Sequence, residues 1–586
     1  MKDAGIEAKR DTSVFAGQVS LTASLGSYEE PVREILAEAA KANVIRRIWN
    51  KDASLWKGEE AHEKIIKNAL GWLSVPGMMR TATGELASFA TSVAASGQFH
   101  HVMVCGMGGS SLCPEVMRQT FQSPEGFPRL LVLDSTDPDA VNNLAKQIDV
   151  NRCLFIVASK SGTTTEPIVF HRFWYNKVAR KSDKPGSAFI AITDPNTKMA
   201  RTAAEEGFKR IFLNPQDIGG RYSALSYFGM VPAALMGLDV EKLLQSAETM
   251  AESCSASVPI NDNPSAFLGS VMAECALSGR DKLTIVTDQT LSALGLWIEQ
   301  LIAESTGKEG KGIVPIVGES LGPVSTYGND RLFVSIAVGG TDAATQSKLN
   351  ALEAAGHPVC RRTFADVYDL GAEFFLWEMA TAFAGWRLGI NPFDQPNVQE
   401  SKDATKALLE KFAKEGKLQE PPPLVSDGIL SIYAEDGTGA VPISTSVAEV
   451  LRQRIAMTNP GDYIALLAYL EETSEIETAI QEIRTILRDQ TGCATTTGYG
   501  PRFLHSTGQL HKGGPDSGVF IQITAPDNID LEVPGEPYTF SILKAAQAQG
   551  DFQSLLSHGR RAIRVDLGSD VLVGLKRLKE LIVGAN

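Results

Sequence analysis

The sequence predicts an α/β protein with two tandem domains, each a parallel sheet sandwiched between helices, followed by a smaller C-terminal α/β domain. Short apolar runs alternate with longer amphipathic segments from about residue 100, and the alternation recurs after residue 255. A proline-rich stretch, EPPPLVSDGIL at 420–430, then precedes a third unit. Alternating strands and helices are typical of parallel sheets that helices cover on both faces.

The first predicted sandwich domain covers residues 96–254. Helical patterns such as CPEVMRQTFQ separate its strand candidates, which are HVMVCG (101–106), RLLVLDS (129–135), CLFIVAS (153–159) and SAFIAIT (187–193). Residues 1–95 are predicted to be mostly helical, because EEPVREILAEAAKANVIRRIWN and AHEKIIKNALGWL place apolar residues at helical spacing.

The second sandwich domain is predicted for residues 255–410. Its strand candidates are KLTIVTD (282–288), RLFVSIAVGG (331–340) and HPVCRRTF (357–364). The C-terminal domain, residues 430–586, has strand candidates DYIALLAYLE, GVFIQIT and AIRVDLG. Several domains are expected in a chain of 586 residues, because a single core stops growing at roughly 250–300 residues.

The charge balance restricts the partners. The sequence has 55 Lys and Arg against 69 Asp and Glu, a formal net charge of −14. An acidic surface argues against general affinity for nucleic acid or for anionic lipid. An anionic small molecule would therefore have to be held by local donors, because the overall field opposes it.

The sequence lacks the motifs that are typical of metal-binding, secreted and membrane proteins. The seven cysteines include no CxxC pair, and the sequence has no HxH, HExxH or Cys/His cluster, so we expect no metal and no cofactor. The N-terminus, MKDAGIEAKRDTS, is polar, and apolar stretches such as 227–238 are too short to span a membrane. We therefore expect a cytoplasmic protein without a membrane partner.

A glycine-rich junction follows the first strand candidate. GMGGSSL (106–112) leads into a helix, where glycines allow close backbone approach and the helix N-terminus offers free N–H groups. A tight structural turn is the plain alternative. A dinucleotide site with Asp134 is a weaker one. We predict phosphate contacts from this loop by Gly108, Gly109, Ser110 and Ser111.

A cluster of hydroxyl side chains ends the third strand candidate. SKSGTTTEP (159–167) carries five hydroxyls in seven residues before a helix. Ligands bind at the carboxyl edge of open α/β sheets, so a phosphate dianion could be held there by neutral donors. An N-capping cluster is the alternative, although one cap needs only one hydroxyl. The predicted phosphate-binding residues are Ser159, Ser161, Thr163 and Thr164.

Together these motifs resemble the sugar isomerase (SIS) domain, and its two-domain form is similar to the phosphoglucose isomerase family. Three further segments support the resemblance and occur in the family's order: GGRYSALSYFG (219–229), QLIAESTGK (300–308) and INPFDQPNVQESK (390–402). The resemblance covers roughly residues 45–405. The five motifs are specific in combination, although each alone is modest.

The resemblance implies roles for four residues. Glu304 would be the base that transfers the proton, and Gln300, one helical turn earlier, would contact the substrate. Arg221, next to two glycines, would stabilise the enediolate oxygen, with a structural ion pair as its alternative role. Lys402 would assist ring opening and oxygen binding.

The chain departs from the family at the ring-opening histidine. The family has a sequence similar to TNGQH, whereas this chain has TYGND (326–330), with Asp330 in place of the histidine. The segment GYGPRFLHSTGQLHKGGPDSG (498–518) offers His505 and His511 instead, with His505 slightly favoured. Long irregular segments are often functional, although surface histidines in a structural loop remain the alternative.

The implied function is metal-independent interconversion of glucose 6-phosphate and fructose 6-phosphate, in glycolysis and gluconeogenesis. The chain also resembles the isomerase part of transaldolase–phosphoglucose isomerase fusion proteins. Residues 1–95 are too few for the barrel that a transaldolase needs. Two alternatives stay open: a sugar-phosphate-binding regulator of SIS type, and an isomerase for mannose 6-phosphate or an amino sugar phosphate. In the family two subunits build the active site, which implies a homodimer, although the C-terminal domain could replace that contribution.

Overall fold

The N-terminal region combines two strands with short helices. The computed structural model describes residues 12–16, 19–434 and 446–584. Strands β1 (Thr12–Ala16) and β2 (Val19–Ser24) pair antiparallel. Helices follow as predicted: α1 (Glu29–Lys41), α2 (Val44–Trp49), α3 (Glu60–Lys67), α4 (Val75–Arg80) and α5 (Thr83–Ala95). The prediction for residues 1–95 contained no strand, and these two form because β2 joins the sheet of the second domain.

The first domain contains a five-stranded parallel sheet in the order β4-β3-β5-β6-β7. Its strands are β3 (His101–Cys105), β4 (Arg129–Leu133), β5 (Cys153–Ala158), β6 (Phe189–Thr193) and β7 (Arg210–Leu213). Its helices are α6 (Leu112–Thr120), α7 (Pro138–Gln147), α8 (Thr165–Ala179) and α9 (Lys198–Glu205). The strand order reverses between β3 and β5, the position where open α/β sheets bind ligands. Both predicted phosphate loops lie there.

The second domain adds β1 and β2 to four parallel strands, in the order β1-β2-β11-β10-β8-β9. The four are β8 (Lys282–Thr287), β9 (Val314–Val317), β10 (Arg331–Val338) and β11 (Val359–Phe364). Three helices lead into the domain: α10 (Tyr227–Leu235), α11 (Val240–Ser253) and α12 (Pro264–Leu277). Within it lie α13 (Leu294–Thr306), α14 (Ala343–Ala354) and α15 (Leu370–Leu388).

Helix α16 (Pro396–Glu415) connects to the third domain, whose sheet has the order β12-β13-β17-β16-β14-β15. The strands are β12 (Val425–Ser426), β13 (Ser431–Tyr433), β14 (Tyr463–Tyr469), β15 (Ala494–Tyr499), β16 (Gly518–Thr524) and β17 (Arg561–Asp566). The helices are α17 (Val447–Ala456), α18 (Ser474–Thr491), α19 (Gly508–Gly513), α20 (Phe540–Ser557) and α21 (Val571–Val583).

Apolar packing holds the third domain against the second. One continuous core runs through the first two domains, and a separate core covers one face of the third sheet. A further cluster joins Ala303 of α13 to Tyr463, Phe503 and Leu510 of the third domain. The third domain therefore packs directly beside Glu304. Among the described residues, no helix is both long and apolar enough to cross a bilayer.

Candidate active site

The loop between β3 and α6 brings three segments together through its glycines. Gly108 has a φ of +53°, and a Cβ there would lie 2.8 Å from Nε2 of Gln300 and 3.0 Å from the backbone oxygen of His505. A Cβ on Gly109 would lie 1.9 Å from the backbone oxygen of Gly220. Larger residues would force these segments apart, because such distances are far inside van der Waals contact. The predicted phosphate contacts of the two glycines stay a proposal.

The two serines of this loop differ in their availability. Ser111 is fully buried, and its Oγ donates to the backbone oxygen of Gly108 at 3.2 Å. This hydroxyl stabilises the turn, so its burial does not fit the predicted phosphate contact. Ser110 is half-buried, and its hydroxyl bonds to none of the described residues. Ser110 therefore remains a candidate phosphate donor.

The loop between β5 and α8 presents hydroxyls to a cavity of about 620 Å³. Ser159 is buried and donates to Oγ1 of Thr164 at 3.0 Å, so it closes the loop from within. Ser161, Thr163, Thr164 and Thr165 line the cavity. Thr164 is the N-cap residue of α8, but its side chain forms no capping hydrogen bond. The hydroxyls and the helix N-terminus are thus available to an anion.

Helix α13 carries Gln300 and Glu304 one turn apart, and both side chains are buried. Oε1 of Glu304 lies 3.4 Å from Nη1 of Arg221, and Oε2 accepts a hydrogen bond from Nε2 of Gln300 at 3.2 Å. Nε2 of Gln300 also donates to the backbone oxygen of His505 at 2.7 Å. One amide therefore links the proposed base to the third domain.

The guanidinium of Arg221 is held in a single orientation. Nε donates to Oγ of Ser305 at 2.7 Å, and Nη1 donates to Oε1 of Gln395 at 3.0 Å. Nη2 donates to two backbone oxygens of the NPFDQ segment (391–395), at 2.7 and 2.9 Å. The cation beside Glu304 is therefore preorganised, as stabilisation of a developing oxyanion requires.

Lys308 is a buried cation that sequence reasoning did not single out. Its Nζ donates to Oδ1 of Asp394 at 2.7 Å and to the backbone oxygen of Asn391 at 2.8 Å. The pKa of Lys308 is lowered to about 8, mainly by burial and also by the charge of Arg221, while Asp394 opposes the shift. Lys308 stands in the QLIAESTGK motif, but only contacts across the fold show that it anchors the NPFDQ segment.

His505 reaches this region on a short 3₁₀ turn, Arg502–His505. Its Nε2 lies 3.3 Å from Oε1 of Glu166, and Nε2 of Gln547 donates to the same oxygen at 2.7 Å. Burial alone would raise the pKa of Glu166, but the charge and hydrogen bond of His505 bring it below its usual value, and Lys402 contributes. Glu166 was missed, although it stands in SKSGTTTEP. His505 and Glu166 form a carboxylate–imidazole pair.

His511 occupies a different environment. Its ring packs against Tyr463, Phe503 and Phe520, with ring centroids 5.1 to 6.3 Å apart. Burial holds the pKa of His511 well below its usual value, so the ring stays neutral. This location in the third domain favours a packing role. The segment 498–518 was expected to be irregular because it lacks periodicity, but it contains the short helix α19.

Asp330, at the position where we expected the family's histidine, is paired with other side chains. It directly precedes β10, at the amino end of that strand, and its Oδ2 lies 3.9 Å from Nζ of Lys282. Its ion pairs are with Lys282 and Arg331, and neither of these is a predicted site residue.

Lys402 lies on α16 and lines the cavity together with Glu166, His505 and the hydroxyl loop. Its side chain is exposed. Glu304 and Arg221 are connected to the cavity through Gln300 and the backbone of His505. The fold thus assembles the predicted phosphate loop, Lys402 and one of the two histidines around a single cavity.

The contacts of the described residues do not favour a nucleotide or a metal ion as a ligand. The Asp134 carboxylate accepts two hydrogen bonds from Arg502, at 2.9 and 3.0 Å, so it is not available to a nucleotide ribose. Among the described residues, one cluster of three carboxylates is close enough to hold a metal ion: Asp137, Asp139 and Asp527. Lys544 donates to Asp137 at 2.9 Å and also to Asp527, so its ammonium already supplies the positive charge.

Known proteins are similar to this chain over the first two domains. The Phosphoglucose isomerase family model matches residues 73–328. A glucose-6-phosphate isomerase of Parabacteroides distasonis is 28% identical over 392 residues, which is 58% of this chain and 87% of that protein. One from Symbiobacterium thermophilum is 29% identical over 401 residues, 60% of this chain and 89% of the relative.

Solved structures share the fold. A glucose-6-phosphate isomerase of Chlamydia trachomatis superposes with a TM-score of 0.57 at 18% identity, covering 69% of this chain and 90% of that one. A hypothetical protein of Thermus thermophilus gives a TM-score of 0.56 at 23% identity, covering 65% of this chain and 98% of that one. Arg221, Gln300, Glu304 and both phosphate loops lie inside the matched family region. Residues 73–328 are therefore similar to the Phosphoglucose isomerase family, and the fold of the first two domains is shared with these solved structures.

Proposed function

We propose that this protein interconverts glucose 6-phosphate and fructose 6-phosphate, as a step of glycolysis and gluconeogenesis. The observation that carries the proposal is the position of Gln300. Its Nε2 lies 3.2 Å from Oε2 of Glu304 and 2.7 Å from the backbone oxygen of His505. A candidate base for carbon-bound protons therefore adjoins a candidate acid/base for ring opening. Both are needed for aldose–ketose isomerisation of a cyclic sugar.

The phosphate would bind at the hydroxyl loop before α8. Ser161, Thr163, Thr164 and Thr165 supply neutral donors to the cavity, and the uncapped helix N-terminus supplies N–H groups. Aligned peptide dipoles favour an anion at that end of a helix. This arrangement holds a dianion despite the net charge of −14.

Ring opening is assigned to His505. With a proton on Nε2 donated to Glu166, the imidazole keeps Nδ1, which bonds to none of the described residues. Nδ1 can then exchange a proton with the sugar: the ring oxygen gains a proton, O1 loses one, and the bond between C1 and the ring oxygen breaks. Lys402 lines the same cavity and can stabilise the oxygen that becomes negative.

Proton transfer is assigned to Glu304. Its carboxylate removes the C2 proton of the open-chain aldose, and the electron pair forms the C1=C2 bond of a cis-enediol(ate). Arg221, fixed beside it at 3.4 Å, stabilises the oxyanion. Glu304 then returns the proton to C1 while the proton of the C2 hydroxyl passes to O1, so that C2 becomes the ketone and C1 carries a hydroxyl. Atoms and electrons balance without a redox partner.

All of these side chains belong to one chain. The third domain brings His505 to the first two domains, so activity needs no group from a second subunit. A homodimer remains a prediction, as do the cytoplasmic location and the lack of affinity for nucleic acid.

The test is conversion of fructose 6-phosphate to glucose 6-phosphate in the presence of EDTA. We expect an active wild-type protein and a loss of about 100-fold or more in Glu304→Gln, because general acid–base catalysis contributes about 10²–10⁴-fold. Glu299→Gln is the matched control. Glu299 is a buried glutamate five positions before Glu304 on α13, and its charged neighbours are Arg484 and Arg502. We expect this variant to stay close to wild type.

Other outcomes would change the proposal in defined ways. Unaffected Glu304→Gln would exclude Glu304 as the base. Turnover of mannose 6-phosphate or glucosamine 6-phosphate in place of glucose 6-phosphate would reassign the substrate. Binding of fructose 6-phosphate without any turnover would indicate a sugar-phosphate-binding regulator.

A further inference from the structure

We propose that Gln547 is a positioning residue for ring opening, which holds the Glu166 carboxylate in place against His505. The inference rests on the isomerase function proposed above. Gln547 lies on α20 and is almost fully buried where the third domain meets the first. Its side chain also borders the cavity that contains Glu166 and His505.

The orientation of the Gln547 amide is determined from both sides. Oγ1 of Thr136, in the first domain, donates to Oε1 of Gln547 at 2.7 Å. On the other side, Nε2 of Gln547 donates to Oε1 of Glu166 at 2.7 Å. An ionised carboxylate only accepts hydrogen bonds, so the NH₂ group must face Glu166. The Thr136 hydroxyl then has the amide oxygen as its acceptor.

Gln547 and His505 are linked because both are hydrogen-bond partners of the same oxygen of Glu166. Oε1 of Glu166 accepts from Gln547 at 2.7 Å and lies 3.3 Å from Nε2 of His505. The amide donor favours the ionised carboxylate, because hydrogen bonds to a charged form stabilise that form. It also fixes the position of the Glu166 oxygen that accepts the hydrogen bond from Nε2–H of His505. His505 is thereby held in the tautomer that leaves Nδ1 for the sugar.

A neighbouring glutamine shows what a packing role would look like. Gln549, on the same helix, donates from Nε2 to the backbone oxygen of Gln419 at 2.7 Å. It lies at the contact with the segment after α16 and touches neither Glu166 nor His505. Gln549 is therefore a matched control: another amide of α20, without the link to the imidazole.

The experiment separates ring opening from proton transfer. Interconversion of the α and β anomers of glucose 6-phosphate, measured by NMR exchange, reports ring opening alone, and the isomerisation assay reports both steps. We expect Gln547→Leu to slow anomer interconversion roughly 10- to 100-fold, as loss of an orienting partner does. KM should change little, because Gln547 forms no hydrogen bond with the hydroxyl groups of the phosphate loop. Gln549→Leu should stay close to wild type in both assays.

A pH profile of Gln547→Glu gives a readout that a packing defect would not produce. Two facing carboxyl groups share a proton at low pH and repel each other once both ionise. The rate of this variant relative to wild type should therefore fall as pH rises. The other titratable groups near Glu166, which are His505, Lys402, Tyr469 and Tyr538, are the same in both proteins, so the difference isolates position 547.

Three results would overturn the inference: Gln547→Leu with wild-type anomer interconversion, equal losses in Gln547→Leu and Gln549→Leu, or a wild-type pH profile for Gln547→Glu. If Gln547→Leu fails to fold, Thr136→Val tests the same line of hydrogen bonds with a smaller change, and an unchanged rate there would count against it. A wild-type protein that neither isomerises nor interconverts anomers would overturn the isomerase function itself. An active wild type with unaffected variants would overturn only the role of Gln547.

Discussion

The two halves of the candidate site are held in different ways. Glu304 and Arg221 lie inside the region that matches the phosphoglucose isomerase family, within or against the core that the first two domains share. His505 and Gln547 lie outside that region, in the third domain. The proposed proton-transfer half therefore lies in the region similar to the family, and the proposed ring-opening half depends on the packing of the third domain against it.

Charged contacts between the first and third domains hold the turn that carries His505 in position. Arg502 donates two hydrogen bonds to Asp134, and Lys544 donates to Asp137. Arg502 precedes His505 by three residues, on the same turn. The position of Glu304 therefore depends on packing within the first two domains, whereas the position of His505 depends on the geometry of the interface between the first and third domains.

The largest effect in the ring-opening half should come from His505→Ala. Removing the imidazole abolishes the acid/base that faces the cavity, so we expect anomer interconversion and isomerisation to fall about 100-fold. The measurement is NMR exchange of glucose 6-phosphate together with the coupled isomerisation assay.

His511→Gln is the control for this change. Its ring packs among aromatic side chains, so we expect a lower melting temperature with kcat close to wild type. A loss of kcat in His511→Gln, with His505→Ala active, would reverse the assignment of the two histidines. Mixing His505→Ala with Glu304→Gln protein should not restore activity, and restoration would show that two chains build the site.

A smaller effect should follow from Arg502→Met. The change leaves the Asp134 carboxylate buried without its cation, which costs about 3 kcal/mol of unfolding free energy in buried pairs. Displacement of the turn should also slow anomer interconversion more than it raises KM. Thermal unfolding and the NMR exchange assay measure the two effects.

Arg577→Met provides the comparison in the same domain. Arg577 pairs with Asp427 at the surface, with 37% of its side chain exposed. Exposed pairs contribute about 0–1 kcal/mol, so this variant should unfold close to wild type. Equal destabilisation of both variants would mean that the Arg502 pair has no special place in the docking.

The smallest effect on activity is expected for Glu299 of α13, whose substitution should instead change how stability depends on pH. Burial raises the pKa of Glu299 to about 8, although Arg484 and Arg502 oppose the shift. A pKa that is higher in the folded protein contributes stability that is present below the unfolded value, near 4.5, and is lost as pH rises to 8. Wild type should therefore lose stability over this range relative to Glu299→Gln. Denaturant unfolding at pH 5 and pH 8 measures it, and a constant difference between the proteins would contradict the prediction.

Much of the fold was accessible from the sequence, because buried parallel strands are continuous apolar runs. β3, β5 and β10 match their predicted runs to within a few residues. Strands β7 and β9 were missed, being short strands at sheet edges. Strand β15 was missed because ATTTGY has little apolar character.

The sequence by itself determined the α/β class and the two loops at the carboxyl edge of the first sheet, because strand–glycine–helix junctions are local patterns. Gln300 and Glu304 were singled out through the resemblance of their motif to the family. Only the tertiary structure favours His505 over His511, because the two histidines stand in one irregular segment with similar neighbours. It also revealed Glu166, Gln547 and Lys308. Their partners are far apart in the chain, and a side chain's chemistry follows from the groups that burial brings against it.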